Sequence, residues 1–138
     1  MRSALPATVP FADAVHNVGA AALTVAALSQ GRLELLAAST LDRLHEPYRA
    51  TAYPQLPEII EAALGAGALG ACLSGAGSAI VAFSDDRTIA PAIAAAMERR
   101  GIALGLTGRS SVQAIRAEGA RVVATAAGPE SRPGRRLR

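Results

Sequence analysis

The 138-residue chain contains no lysine, no tryptophan, four other aromatic residues, two histidines and a single cysteine. One cysteine, Cys72, excludes an internal disulfide framework. With only His16 and His45 to add to it, a multi-cysteine zinc site is excluded as well, and no metal ligands are expected. The opening MRSALPATVP lacks the apolar run of a secretory signal. Asp13, His16 and Asn17 interrupt the alanine-rich stretch that follows, so no membrane span is expected. These readings describe a soluble, cytoplasmic chain.

What is abundant is small and apolar. Half the residues are hydrophobic (51%), which suits one globular domain burying roughly two thirds of its unfolded surface. The formal charge of +3 belongs to the tail: Glu130, Arg132, Arg135, Arg136 and Arg138 supply it, and residues 1–128 carry ten arginines against ten carboxylates. A body without net charge argues against nucleic-acid or anionic-membrane binding.

The periodicity predicts helices first. Pro10 suits a first helical turn, and Phe11, Val15, Val18, Ala22 and Val25 follow helical spacing over 11–29, with Gly31 as the stop. A second helix is expected at about 33–44, from the stripe Leu33, Leu36, Ala37, Thr40, Leu41 and Leu44. A loop then carries His45-Glu46-Pro47-Tyr48-Arg49, and a third helix runs to about Gly65. The period then changes. Residues 68–74 and 79–83 read as two strands joined by a hairpin-length connection. A helix at 87–100 ends at Gly101, and two more strands are expected at 102–106 and 120–124. From Ala127 a Pro/Gly/Arg tail is expected to be disordered. The fold class is therefore α+β, a mainly antiparallel sheet covered on one face by helices. Residues 1–126 form the domain and 127–138 the tail.

Few side chains point to chemistry. In Ser74-Gly75-Ala76-Gly77-Ser78, successive small residues let a ligand approach the backbone, and their N–H groups can converge on an anion. No Gly-Lys-Ser/Thr follows, so this is not a Walker loop, and taken alone the stretch reads as a structural turn ahead of a ligand contact. Arg49 could grip a carboxylate or phosphate with two parallel hydrogen bonds, or pair at the surface with Glu46 or Glu58. His16 reads as a helix residue satisfied by a hydrogen bond, Cys72 as a small buried hydrophobe, and Asp85 and Asp86 as helix caps.

Taken together and in order, several stretches resemble the C-terminal half of the homoserine kinases, within the GHMP small-molecule kinase superfamily. They are Arg2-Ser3-Ala4-Leu5-Pro6; Phe11-Ala12-Asp13-Ala14-Val15-His16-Asn17-Val18-Gly19; Asp42-Arg43-Leu44-His45-Glu46-Pro47-Tyr48-Arg49; the run from Gly67 to Ser78; and Glu118-Gly119-Ala120-Arg121-Val122. The Asp-Arg-x-His-x-Pro-Tyr-Arg run is the specific part, because the glycine loop alone indicates only the superfamily. The resemblance implies a ferredoxin-like antiparallel sheet packed against helices. It also implies ATP- and Mg2+-dependent phosphorylation of L-homoserine to O-phospho-L-homoserine, toward threonine. By motif, Arg2 and Arg49 would hold the substrate carboxylate and Gly75 would approach the substrate through its backbone. Ser74, Ala76, Gly77 and Ser78 would shape the nucleotide side. The phosphate-cradling Pro-x-x-x-Gly-Leu-Gly-Ser-Ser-Ala loop of that family does not occur in these 138 residues. Nor does its N-terminal substrate motif or the acidic residue associated with magnesium. Position 20 is Ala where many relatives carry Arg, and Ser78-Ala79 stands where Pro-Ser or Pro-Thr is frequent. The chain alone is therefore expected to be inactive, with the N-terminal half or a homodimer partner as its possible protein partners. An amino-acid-binding or dimerisation module without catalysis is the competing reading.

Overall fold

The computed structural model describes residues 2–122. After a 3₁₀ turn at Arg2–Ala4 come α1 (Phe11–Gln30), a second 3₁₀ turn (Leu33–Leu35), α2 (Leu36–Ser39), α3 (Glu46–Arg49) and α4 (Leu56–Gly65). The strands β1 (Gly70–Leu73) and β2 (Ile80–Phe83) follow, then α5 (Ala90–Ala103). The expected disordered tail at 127–138 lies outside the described residues.

β1 and β2 form an antiparallel hairpin in the register Gly70–Phe83 to Leu73–Ile80. The pleat divides β1 between two layers. Ala71 packs with Ala63 of α4 and Ile93 of α5, and Leu73 with Tyr53, Leu56 and Ile59. Gly70 belongs to the other pleat, where a Cβ would lie 2.7 Å from the Leu36 carbonyl oxygen and 2.8 Å from Thr40 Oγ1. Only glycine lets α2 come this close. Helices therefore flank the hairpin on both sides, not on one as the element order suggested.

α1 ends as expected: Gly31 takes the left-handed conformation (φ 68°) and its N–H returns to the Ala27 carbonyl. Its orientation is less expected. Phe11, Val15, Val18 and Val25 face solvent, with Phe11 84% and Val18 72% exposed. The polar side of the helix faces inward. Asn17 donates to Asp42 Oδ2 at 2.6 Å, Thr24 to the Ser39 carbonyl at 3.4 Å, and His16 Nε2 lies 3.0 Å from the Leu41 carbonyl oxygen. The hydrogen bond expected of His16 is thus present. By length and composition α1 is also long and apolar enough to cross a membrane. The interruptions at Asp13, His16 and Asn17 do not lower its average enough to exclude that.

Other elements shift. The 33–44 stripe becomes a 3₁₀ turn and one turn of α-helix, because Thr40 turns its hydroxyl back to the Leu36 carbonyl (2.8 Å) and the chain leaves the helix there. Leu36 is fully buried while Leu41 is exposed. α5 runs through Gly101 to Ala103, so 102–106 is helix end and turn, not a strand. Gly101 does not end the helix; it is buried beside Leu106 and Ile59, where a Cβ would make only ordinary contacts, so the packing does not demand glycine. Residues 120–122 have no strand partner among the described residues, and 123–124 lie outside them.

Candidate functional site

The Asp42–Arg49 run folds into a polar platform. Asp42 Oδ1 accepts the backbone N–H groups of His45 (2.6 Å) and Glu46 (2.8 Å), which would otherwise be orphaned at the start of α3. Its Oδ2 accepts from Asn17 and lies 3.3 Å from His45 Nε2. Asn17 Oδ1 in turn accepts the Arg43 N–H at 2.8 Å. One carboxylate and one amide thereby fasten α1 to the start of α3. Pro47 in the first turn of α3 costs nothing, since its missing N–H has no helical partner there. Arg49 lies on this short helix, not in a loop as the sequence suggested.

One turn further, α3 meets the hairpin. Glu46 Oε1 accepts the Leu73 N–H at the end of β1. Arg49 Nη1 donates to the Gly75 carbonyl at 2.6 Å, across 26 residues of sequence. Gly75 (φ 66°) and Gly77 (φ 90°) give the bend left-handed backbone. A Cβ on Gly75 would meet nothing within 4 Å, so the space above it is open to a ligand. Ser74, Gly75, Ala76 and Ser78 are exposed and Gly77 partly so.

Electrostatics separates the two carboxyls. Burial pushes Asp42 up, but the amides of Glu46 and His45, the Asn17 side chain and the nearby His45 favour the charged form. Together they hold Asp42 below the usual carboxylate value. Burial also raises Glu46, and there it prevails: the Leu73 amide opposes it and the Asp42 charge adds to it. The Cys72 thiol is raised by burial and by the charges of Glu46 and Asp42, so it is unactivated; the residue is partly buried.

Arg49 is the outlier. It is only 8% exposed, its Nε is buried without a hydrogen-bond partner, and no carboxylate among the described residues pairs with it. Glu46 is occupied with Leu73, and Glu58 pairs with Arg100 of α5. The surface ion pair considered from sequence is therefore not formed. A buried guanidinium that keeps its charge without a counter-anion is an unstable arrangement, and a ligand carboxylate or phosphate would relieve it. The Arg2 side chain lies outside the described ones.

Sequence reasoning missed Asp42, Glu46 and Asn17. An Asp placed three and four residues before two helix-starting amides is a readable signal for the first. The partnership of Glu46 with a strand 27 residues away has no local signal.

The fold and platform describe an α+β domain that presents a buried arginine to a glycine bend. The family profile described as "GHMP kinases C terminal" matches residues 24–103. The chain belongs to the GHMP kinase C-terminal family. It is 48% identical over 100 residues to a homoserine kinase of Thermus thermophilus, covering 72% of this chain and 34% of that one. It is 39% identical over 122 residues to a homoserine kinase of Desulfitobacterium hafniense, covering 88% of this chain and 41% of the relative. The crystal structure of homoserine kinase from Cytophaga hutchinsonii superposes with a TM-score of 0.71 at 34% identity. That match covers 75% of this chain and 33% of that one. The chain thus spans about a third of the length of the relatives it matches.

Proposed function

We propose that this chain is the substrate-carboxylate part of a homoserine kinase, which transfers the γ-phosphoryl group of ATP to the side-chain hydroxyl of L-homoserine in the cytoplasm, on the way to threonine. The observation that carries the reading is the buried, unpaired Arg49 guanidinium held against the Gly75 carbonyl. A planar fork with one arm already committed to the bend has its remaining N–H groups fixed in direction, which suits a carboxylate. Arg2 would add a second guanidinium. Gly75 would border the substrate, and Ser74, Ala76, Gly77 and Ser78 would form the wall toward the nucleotide.

The reaction needs the hydroxyl aligned with the phosphorus and the developing charge neutralised. Arg49 contributes alignment, by pinning the end of the substrate remote from the reacting oxygen. ATP supplies the phosphoryl group, and the exposed bend fits a neighbouring role only, because the family's phosphate cradle is not in this sequence. Magnesium does not fit the residues present: no cluster of three or more His, Cys, Asp or Glu suited to a metal occurs among the described residues.

The test uses this chain complemented by the remaining two thirds of a homoserine kinase. Arg49→Ala should raise the KM for homoserine about 100-fold and leave the KM for ATP within about twofold, the loss expected when a desolvated charge pair is broken. Arg49→Lys should not restore it, since a point charge lacks the fork. Equal losses for both substrates would make Arg49 a structural residue and remove the basis of the proposal.

A further inference from the structure

Glu46 is a partly buried carboxyl one helical turn before Arg49, and nothing in the proposed reaction employs it. Residues three apart on a helix share a side, so a carboxylate and a guanidinium at 46 and 49 are placed to pair. Instead each reaches past the other to the hairpin. Glu46 Oε1 accepts the Leu73 N–H, and Arg49 Nη1 donates to the Gly75 carbonyl at 2.6 Å. The two grips match in spacing. Three residues of helix rise about 4.5 Å and two residues of strand about 6.6 Å, a difference that two long side chains absorb. The register of the hairpin explains why Leu73 is available. Ser74 donates to the Ala79 carbonyl at 2.8 Å, so by antiparallel alternation Leu73 turns its N–H away from β2, to the edge of β1 that meets α3. Glu46 has a fixed base as well, because its own N–H is taken by Asp42 Oδ1 at 2.8 Å.

We propose that Glu46 is a positioning residue for the acceptor substrate: its bond to the Leu73 amide sets the Gly75 bend against Arg49 and keeps its own carboxylate from competing for the guanidinium. Two points of attachment define a direction, where one leaves a pivot. With the Arg49–Gly75 bond alone, the bend can swing about the Gly75 carbonyl, since a Cβ there would meet nothing within 4 Å and Ser74 and Ala76 are exposed. The bend borders the proposed substrate, so its swing changes where the hydroxyl points, although Glu46 touches no substrate atom. A misplacement of about 1 Å can lower a rate about 100-fold. The inference rests on the reading of Arg49 as the carboxylate clamp, and it separates two tasks: Arg49 binds, while Glu46 aligns.

The test compares Glu46→Ala and Glu46→Gln in the chain complemented by the remaining two thirds of a homoserine kinase. Glu46→Ala should lower kcat at saturating homoserine about tenfold or more and leave the KM for ATP within about twofold. Its KM for homoserine should rise far less than in Arg49→Ala, because the guanidinium is still in place. Glu46→Gln keeps an acceptor oxygen for the Leu73 amide and should hold kcat within about twofold of the wild type. A second readout needs no catalysis. In the 138-residue chain, amide hydrogen exchange at Leu73 and through residues 74–78 should quicken in Glu46→Ala, more than in α5, and stay at the wild-type rate in Glu46→Gln. Unchanged kcat in Glu46→Ala would overturn the inference. So would equal losses in the two variants, or faster exchange spread evenly over the bend and α5. If Arg49→Ala raises the KM for homoserine while Glu46→Ala changes nothing, this inference alone falls. If Arg49→Ala impairs both substrates equally, the reading of Arg49 falls and takes this one with it.

Discussion

Asp42 and Glu46 lie four residues apart and burial pushes both up, yet the hydrogen bonds to Asp42 leave the two with opposite dependence on pH. Asp42 is stabilised in its charged form, so its contribution is present above its unfolded value near about 3.9 and is lost as pH falls through the lowered folded value. Glu46 is raised by burial, so its contribution is present below about 4.3 and is lost as pH rises through the raised folded value. Asp42→Ala should therefore cost about 1–3 kcal/mol at neutral pH, the range for a helix cap with charge-assisted bonds. The variant should also lose part of the wild type's acid-side decline. Glu46→Gln should match the wild type in acid and gain on it by no more than about 1 kcal/mol at neutrality. Urea denaturation on both sides of about pH 4 checks both. A difference between Glu46→Gln and wild type that stays constant with pH would show that burial does not control this group.

At the scale of elements, what could be read in advance was what short-range chemistry decides. The α1 boundaries follow from Pro10 and Gly31, the hairpin from two apolar runs around a glycine bend, and the end of α4 from Gly65. The failures share one cause, that burial depends on distant neighbours. The apolar stripe of α1 gave no sign of which way it would face. Leu33–Leu44 was periodic enough for a long helix but ends at Thr40. Of the site, Arg49 and the glycine bend could be named from the motif, but their contact could not, nor could the absence, among the described residues, of a carboxylate beside Arg49. Gly70 shows how much such contacts decide. Gly70→Ala should cost about 1–3 kcal/mol, because its Cβ would have to displace backbone of α2. Gly75→Ala should cost about 1–2 kcal/mol through its left-handed φ alone, since nothing crowds it. Thermal unfolding of the two variants distinguishes crowding from backbone strain. The reverse ranking would mean that α2 can retreat from β1 without penalty.

The whole molecule sets the limit on what the site can do. A kinase must hold a triphosphate, compensate its charge and exclude water, and for phosphoryl transfer almost all catalysis comes from positioning and electrostatics, not covalent chemistry. In the proposed reading Arg49 positions the acceptor, while the cradle that would position the donor is not encoded in these 138 residues. Binding one substrate at one end lowers no barrier unless the other reactant is held in line with it. The purified chain with ATP, magnesium and homoserine should therefore release ADP no faster than a heat-killed control. Adding the complementary portion of a homoserine kinase should produce turnover that Arg49→Ala depresses. Turnover by the chain alone would mean that the glycine bend can seat a triphosphate unaided, and the division of labour between a donor-binding part and this acceptor-binding part would have to be abandoned.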